Sequence, residues 1–278
     1  MGGPRFGARE ADSAEGKDDL GRRLSRRLLP ALIAGLCAVS AARGETLRIF
    51  AAASLTEAFR EIGSAFEERH PDLAVEFNFA GSQTLRAQIE QGAEADVFVA
   101  ADRVHAEALR DRELLGEITV AARNALVVVV PRGAPDVLSL GDLARPKMKV
   151  VMAGPTVPAG CYTAQVLRKM AASGLYGDDF QTRVEANIVS LESNVRAVLA
   201  KVALGEADAG FVYRTDALTA LDKLQVLIVP DSLNVSAEYP IGVVAGAGAP
   251  ELARRFIEFV TGPDGQAILD EFGFRRRD

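Results

Sequence analysis

The sequence Phe50-Ala51-Ala52-Ala53-Ser54-Leu55-Thr56-Glu57 joins a short apolar run to a segment with helical periodicity. It predicts a strand that ends in small residues, followed by a helix that begins at Ser54. Ser54 and Glu57 have the spacing of a capping box, in which the serine hydroxyl binds an unpaired amide of the first turn. Exposed amides at a helix N-terminus also attract anions, and small residues let a ligand approach them. The stretch therefore predicts either an ordinary capped helix or one part of an anion site.

The same alternation of strand and helix continues after this junction. The strands are predicted at residues 46–50, 74–80 and 96–100, and the helices between them at residues 54–69 and 85–91. A βαβαβ series of this kind forms a parallel sheet with right-handed crossovers. Ligands bind beyond the carboxyl ends of such strands, and both Ser54 and Ser82 follow directly after a strand.

Two uniformly apolar runs, at residues 126–131 and 239–244, are typical of strands buried on both faces. A second αβ series lies between them, with strands predicted at residues 149–153, 187–189, 209–213 and 226–229. The chain thus leaves one lobe, builds another and returns. We predict an α/β fold with two Rossmann-like lobes joined by two hinge strands, with the ligand in the cleft. Lobe I is predicted at residues 45–125 and 236–278, and lobe II at residues 126–235.

Residues 1–44 have the composition of a signal peptide with an N-terminal extension. A basic stretch at residues 22–27 precedes an apolar stretch at residues 28–39 that is too short to span a bilayer comfortably. Small residues near position 43 suit cleavage, so we expect a periplasmic protein. Cleavage removes Cys37 and leaves Cys161 alone, which predicts no disulfide within the chain.

Composition argues against several other classes of function. The formal net charge is −6, and no dense Lys/Arg stripe lies outside the two ends of the chain, which disfavours nucleic-acid binding. The chain has two His and two Cys residues, with no cluster that suits a metal. We therefore expect neither a directly coordinated metal nor a cofactor.

Four loops share one layout, in which small or polar residues lie between a strand and a helix N-terminus. They are Ala53-Ser54, Gly81-Ser82, Val157-Pro158-Ala159-Gly160 and Ser193-Asn194-Val195. Tyr213 ends a further strand and adds a phenolic hydroxyl. These groups are neutral donors, and each hydrogen bond to a charged ligand contributes about 1.5–3 kcal/mol. A helix terminus adds roughly 0.3–2 kcal/mol, so a small dianion is the ligand that this set favours.

An ordered set of motifs carries a resemblance to a known family. The motifs are Phe50-Ala-Ala-Ala-Ser-Leu-Thr, Phe79-Ala-Gly-Ser-Gln-Thr-Leu, Gly92-Ala-Glu-Ala-Asp-Val-Phe, Val157-Pro-Ala-Gly, Asn194-Val-Arg, Gly210-Phe-Val-Tyr and Glu238-Tyr-Pro. Together they resemble the periplasmic molybdate-binding proteins of molybdate ABC importers, in the same order over nearly all of the chain after residue 46.

This resemblance implies a type II periplasmic-binding-protein fold that holds molybdate or tungstate through hydrogen bonds to the oxyanion. The implied ligands are the hydroxyls and amides of Ser54 and Ser82, the amides of Ala159 and Val195, and the hydroxyl of Tyr213. It also implies a monomer that delivers its ligand to an inner-membrane ABC permease. The residues that flank Ser82 depart from the serines that family members often have there.

Two alternatives remain open from the sequence. One is a binder of sulfate or thiosulfate, which differ from molybdate in size. The other is an exported hydrolase that uses Cys161 or Ser54 as its nucleophile. Such an enzyme needs a base beside the nucleophile, and the sequence places neither His70 nor His105 there. We expect both histidines to be solvated.

Overall fold

Strands and helices alternate along the chain much as the periodicity predicts. The computed structural model describes Gly2 and residues 45–133 and 137–276, so the predicted signal segment lies outside the described residues except for Gly2. The strands are β1 (Glu45–Ala52), β2 (Leu73–Ala80), β3 (Val97–Val99), β4 (Thr119–Pro131), β5 (Val150–Ala153), β6 (Ile188–Glu192), β7 (Ala209–Tyr213), β8 (Leu224–Ile228) and β9 (Ser236–Val243). The α-helices are α1 (Thr56–Glu68), α2 (Ser82–Glu90), α3 (Arg103–Arg110), α4 (Pro158–Ala172), α5 (Phe180–Ala186), α6 (Val195–Ala203), α7 (Arg214–Leu218), α8 (Pro250–Thr261) and α9 (Pro263–Glu271). Among the described helices, none is long and apolar enough to cross a membrane.

The strands form one sheet in the order β2-β1-β3-β9-β4-β7-β5-β6, with β8 paired to β4. Strand β1 is parallel to β2 and β3, and β5 is parallel to β6 and β7. Strand β9 runs antiparallel to both β3 and β4. The two predicted parallel βαβ series are confirmed, and their carboxyl ends carry the loops that the sequence singled out.

Strand β4 belongs to both halves of the sheet. Its first part, from Thr119 to Ala125, pairs with β9, and its second part, from Leu126 onward, pairs with β7 and β8. The chain returns through the segment before β9, where the Asn234 side chain accepts from the Leu126 amide and donates to its carbonyl. The apolar strand predicted at residues 239–244 therefore pairs within one half of the sheet, and it does not itself connect the two halves. The lobe boundaries at residues 125/126 and 235/236 stay a prediction.

The core consists of two clusters of buried apolar side chains from the helices and the sheet. Helix α1 buries Phe59, Ile62 and Phe66, which lie on one side because they are spaced three and four residues apart. Each such side chain contributes about 1.5–3 kcal/mol on burial. A second cluster, which includes Leu85 and Leu109, lies under α2 and α3. Helices α5 and α7 were not predicted, because seven and five residues give too little periodicity.

Candidate functional site

The four predicted loops and Tyr213 surround a single small cavity. Its lining includes all five predicted ligand residues, which are Ser54, Ser82, Ala159, Val195 and Tyr213. All lining residues that the structure describes are uncharged. About 20 Å³ is open to the centre of a water-sized sphere, where one water needs roughly 10–15 Å³. The cavity thus suits a compact ligand bound by neutral groups.

Ser54 reaches this cavity from a 3-10 turn over Ala53–Leu55, between β1 and α1. The predicted capping box is wrong: Leu55 occupies the N-cap position of α1, and no side chain caps that helix. The Ser54 Oγ lies instead 3.0 Å from the Tyr239 hydroxyl, and the Glu57 carboxylate pairs with Arg196. Ser54 therefore lies before the first residue of α1, and its side chain contacts Tyr239 on β9.

Ser82 is the first residue of α2, with Gly81 as the N-cap residue. Its Oγ accepts a hydrogen bond from the Ala101 amide at 2.9 Å, and the side chain is 1% exposed. Because the oxygen is used as an acceptor, the hydroxyl proton is left to donate elsewhere. A Cβ at Gly81 would lie 2.6 Å from the Ser193 carbonyl oxygen, so glycine allows this loop to approach the loop before α6 closely.

Ala159 and Val195 lie in the first turns of α4 and α6. Pro158 occupies the first turn of α4, where its missing N–H would have no acceptor within the helix anyway. Asn194 caps α6 by accepting from the Ala197 amide at 3.0 Å. The first amides of an α-helix have no acceptor within the helix, so both N-termini present N–H groups and the positive end of a dipole.

Tyr213 ends β7, and its side chain is 1% exposed. Its hydroxyl is buried and has no hydrogen-bond partner among the described residues. The ring packs edge-on against Tyr239, with centroids 5.9 Å apart, and against Tyr162 at 6.5 Å. Burial raises the pKa of Tyr213 well above 10.0, so the phenol keeps its proton and can act as a donor.

The sequence pattern of the family described as "Bacterial extracellular solute-binding protein" matches residues 47–275. The chain belongs to this family. Membership indicates an exported binding protein and not an enzyme, as predicted.

Individual relatives agree with this assignment. The molybdate-binding protein ModA of Mycobacterium tuberculosis is 39% identical over 230 residues, which are 82% of this chain and 84% of the relative. The solved periplasmic molybdate-binding protein of Azotobacter vinelandii has a TM-score of 0.71 at 22% identity, over 82% of this chain and 98% of the other. The sulfate-binding protein SubI of M. tuberculosis has a TM-score of 0.74 at 18% identity, over 84% and 88%. These two structures confirm the two-lobed α/β fold.

A partly buried ion-pair network beside the cavity of this solute-binding protein was missed from the sequence. Arg196 pairs with the carboxylate of Glu57, and its Nε lies 2.6 Å from Asp216 Oδ1, at an angle that makes no regular hydrogen bond. Asp216 is fully buried, and burial raises its pKa to about 6 although Arg196 offsets part of the rise. Nothing in the spacing along the chain links these three residues, since each lies on a different helix.

His105 is a correction to the predicted solvated histidine. It is 5% exposed, and its Nε2 lies 2.9 Å from the Thr156 carbonyl oxygen. The Asp102 side chain caps α3 by accepting from the His105 amide at 3.0 Å, as expected for a capping residue. Burial raises the pKa of Asp102. His105 therefore joins α3 to the loop before α4.

The two nucleophiles of the hydrolase alternative lack a base in the described residues of this solute-binding protein. The Cys161 thiol donates to the Pro155 carbonyl oxygen at 3.0 Å, and burial raises its pKa, so the reactive thiolate is disfavoured. The Ser54 Oγ has Tyr239 as its side-chain partner, and burial raises the pKa of that phenol as well. The described residues also contain no cluster of three or more His, Cys, Asp and Glu side chains suited to a metal ion.

Proposed function

We propose that this solute-binding protein captures molybdate, and also tungstate, in the cavity and delivers it to the membrane permease of an ABC importer. The proposed ligand groups are the hydroxyls and amides of Ser54 and Ser82, the amides of Ala159 and Val195, and the hydroxyl of Tyr213. The protein is proposed to act in the periplasm as a monomer, after export by a signal peptide in residues 1–44.

The observation that carries the proposal is the convergence of these five residues on one small, uncharged cavity. Every one of them offers a proton and none brings a negative charge, so together they match a dianion whose oxygens only accept. Hydrogen bonds to a charged ligand contribute about 1.5–3 kcal/mol each. After the dianion is desolvated, several such bonds are enough for micromolar or tighter binding, which needs about −8 kcal/mol.

Capture is proposed to proceed by closure of the two lobes around the anion. Contacts that join the predicted lobes around the cavity support this step: Gln83 donates to the Ser193 carbonyl oxygen at 2.7 Å, and Arg196 bonds Glu57. The donors come from both predicted lobes, because Ser54 and Ser82 belong to the first and Tyr213 to the second. An anion therefore completes its set of hydrogen bonds only when the lobes meet.

Sulfate is the second candidate ligand. The fold is shared with a sulfate-binding protein, and sulfate has the same charge and the same acceptor-only oxygens. The two anions differ in radius, so a cavity that fits the larger molybdate holds sulfate with longer and weaker hydrogen bonds. Molybdate is favoured because relatives named molybdate-binding protein are 39% and 30% identical to this chain.

Isothermal titration calorimetry of the purified protein with molybdate, tungstate, sulfate and phosphate tests the proposal. We expect strong heats with molybdate and tungstate; heat with sulfate alone, or with none of the anions, refutes it. Ser54→Ala should weaken molybdate binding by about 1–3 kcal/mol. Ser64→Ala, at an exposed position on the following helix α1, is the matched control and should leave the affinity unchanged.

A further inference from the structure

A chain of hydrogen bonds runs to the cavity through two residues that are not part of its lining. The Asn124 Nδ2 donates to the Tyr239 hydroxyl oxygen at 3.3 Å, and that hydroxyl lies 3.0 Å from Ser54 Oγ. Asn124 lies on β4 and Tyr239 on β9, the antiparallel strands at the centre of the sheet. All three side chains are buried, so their hydrogen bonds are made to one another and not to bulk water.

The orientation of the Asn124 amide is fixed by its neighbours. Its Oδ1 accepts from the Ala125 backbone amide at 2.9 Å, and its Nδ2 donates to Thr215 Oγ1 at 2.8 Å as well as to Tyr239. Turning the amide over would set its NH₂ group against the N–H of Ala125, which is donor against donor. Asn124 therefore presents only a donor to the Tyr239 hydroxyl.

The orientation of the Asn124 amide also bears on the direction of the hydrogen bonds made by Tyr239 and Ser54. The Tyr239 oxygen accepts from Asn124, and Ser54 Oγ is the described side-chain acceptor within reach of its single proton, so we assign Tyr239 as the donor to Ser54. Burial raises the pKa of Tyr239, and the phenol therefore keeps that proton. The Ser54 oxygen then accepts from Tyr239 through one of its two lone pairs, and its own proton is free to point into the cavity. Ser82 is set in the same way by the Ala101 amide.

Building on the proposed oxyanion function, we propose that Asn124 and Tyr239 are positioning residues that hold Ser54 as a donor toward the cavity. The site then selects oxyanions that carry no proton against those that do, such as hydrogen phosphate. An O–H of the ligand that faces the Ser54 hydroxyl meets a second donor, and neither proton finds an acceptor. Buried donors left in this way are costly, so the orientation of one amide on β4 becomes a preference among ligands.

The test compares sulfate with hydrogen phosphate at about pH 8, where the two anions have equal charge and similar size but differ by one proton. Both affinities are measured by displacement of molybdate from the purified protein and from Tyr239→Phe, which keeps the ring and removes the relaying hydroxyl. We expect the ratio of sulfate affinity to hydrogen phosphate affinity to fall about tenfold in Tyr239→Phe. The Ser54 hydroxyl can then rotate and accept the proton of hydrogen phosphate, which adds about one hydrogen bond to that complex. Tyr176→Phe is the control for loss of a tyrosine hydroxyl remote from the cavity, and should preserve the preference within about twofold.

A second variant should reverse the direction of the hydrogen bonds that join Asn124, Tyr239 and Ser54. In Asn124→Asp the carboxylate accepts the Tyr239 proton, Tyr239 then accepts from Ser54, and the serine turns a lone pair toward the cavity. For Asn124→Asp we expect a greater loss of molybdate affinity than for Tyr239→Phe. The affinity for hydrogen phosphate relative to sulfate should also rise further than in Tyr239→Phe. If this variant does not fold, as judged by circular dichroism, Tyr239→Phe decides alone.

The two proposals fail in different ways. A folded Tyr239→Phe protein that keeps the original preference, or that excludes hydrogen phosphate as completely as before, overturns the positioning role. If the wild-type protein binds none of the anions, the proposed function itself is refuted.

Discussion

Replacing Tyr213 by phenylalanine should change ligand affinity and protein stability independently. The hydroxyl is buried, and no described residue accepts from or donates to it. In the proposed complex it donates to the anion, and a hydrogen bond to a charged group contributes about 1.5–3 kcal/mol. Since 1.4 kcal/mol is a tenfold change in affinity, Tyr213→Phe should weaken molybdate binding about 10- to 150-fold.

The free energy of unfolding of the ligand-free variant should not fall. A hydroxyl that finds no partner on burial costs about 1–3 kcal/mol, and phenylalanine removes that cost while keeping the ring contacts with Tyr162 and Tyr239. A water in the cavity would reduce the gain, because it offers the hydroxyl a partner. We therefore expect an unfolding free energy between unchanged and about 2 kcal/mol higher.

Calorimetry with molybdate and urea denaturation without ligand measure the two quantities. For a chain of this length, 1 kcal/mol corresponds to a change of about 2–4 °C in the melting temperature. Tyr176→Phe controls for the loss of a tyrosine hydroxyl away from the cavity. A ligand-free Tyr213→Phe protein that is less stable by about 1 kcal/mol or more, with unchanged affinity, would show that the hydroxyl has a structural role and would refute the reasoning.

Three further substitutions test the network and the loops around the cavity. Arg196→Ala should weaken molybdate binding by about 1–3 kcal/mol and speed release, since it breaks a contact between the predicted lobes; stopped-flow dissociation measures this, with Arg254→Ala at an exposed pair as the control. The pKa of Asp216 is raised from 3.8 to about 6, so between these values the folded protein keeps a proton that the unfolded chain releases. The free energy of unfolding should therefore fall by about 3 kcal/mol as the pH rises from roughly 4 to 6, and Asp216→Asn should abolish this fall, as measured by urea denaturation at several pH values. Gly160→Ala should destabilise the protein by about 2 kcal/mol or more in urea denaturation, since the new Cβ would lie 2.5 Å from the Ala153 carbonyl oxygen, whereas Gly141→Ala has 3.6 Å of clearance and is the control.

Opposite results would be informative in each case. Equal release rates for the two arginine variants would mean that Arg196 adds no more than a surface ion pair, which contributes about 0–1 kcal/mol. A stability profile that stays the same after loss of the Asp216 carboxyl would place its titration below pH 4. A Gly160→Ala protein with unchanged stability and unchanged molybdate affinity would mean that the N-terminus of α4 can shift without loss of binding.

The strand–loop–helix junctions of the site could be predicted because they are local. A strand that ends in small residues and a helix that starts with an exposed amide are properties of a few consecutive residues, as at Ser82 and Pro158. The parallel order of the strands follows from the same alternation, because a βαβ connection leaves each junction at the same edge of the sheet. The common location of the proposed ligand groups could therefore be predicted from the sequence.

The role of Ser54 shows where local reasoning ends. Its spacing to Glu57 predicts a capping box, but Tyr239, 185 residues further along the chain, takes the hydroxyl instead. Likewise Glu57 bonds Arg196, 139 residues away. Side-chain partners of this kind depend on which strands and helices pack together, and sequence spacing carries no trace of that.

The sequence by itself determined that this protein has two α/β halves and a set of neutral donors suited to an oxyanion. Only the tertiary structure decided how those donors are held. Periodicity and small residues specify backbone elements, which need only their neighbours in the chain to form. The direction of the Ser54 proton depends on Asn124 and Tyr239, which meet only when β4 and β9 pair and close the interior from water.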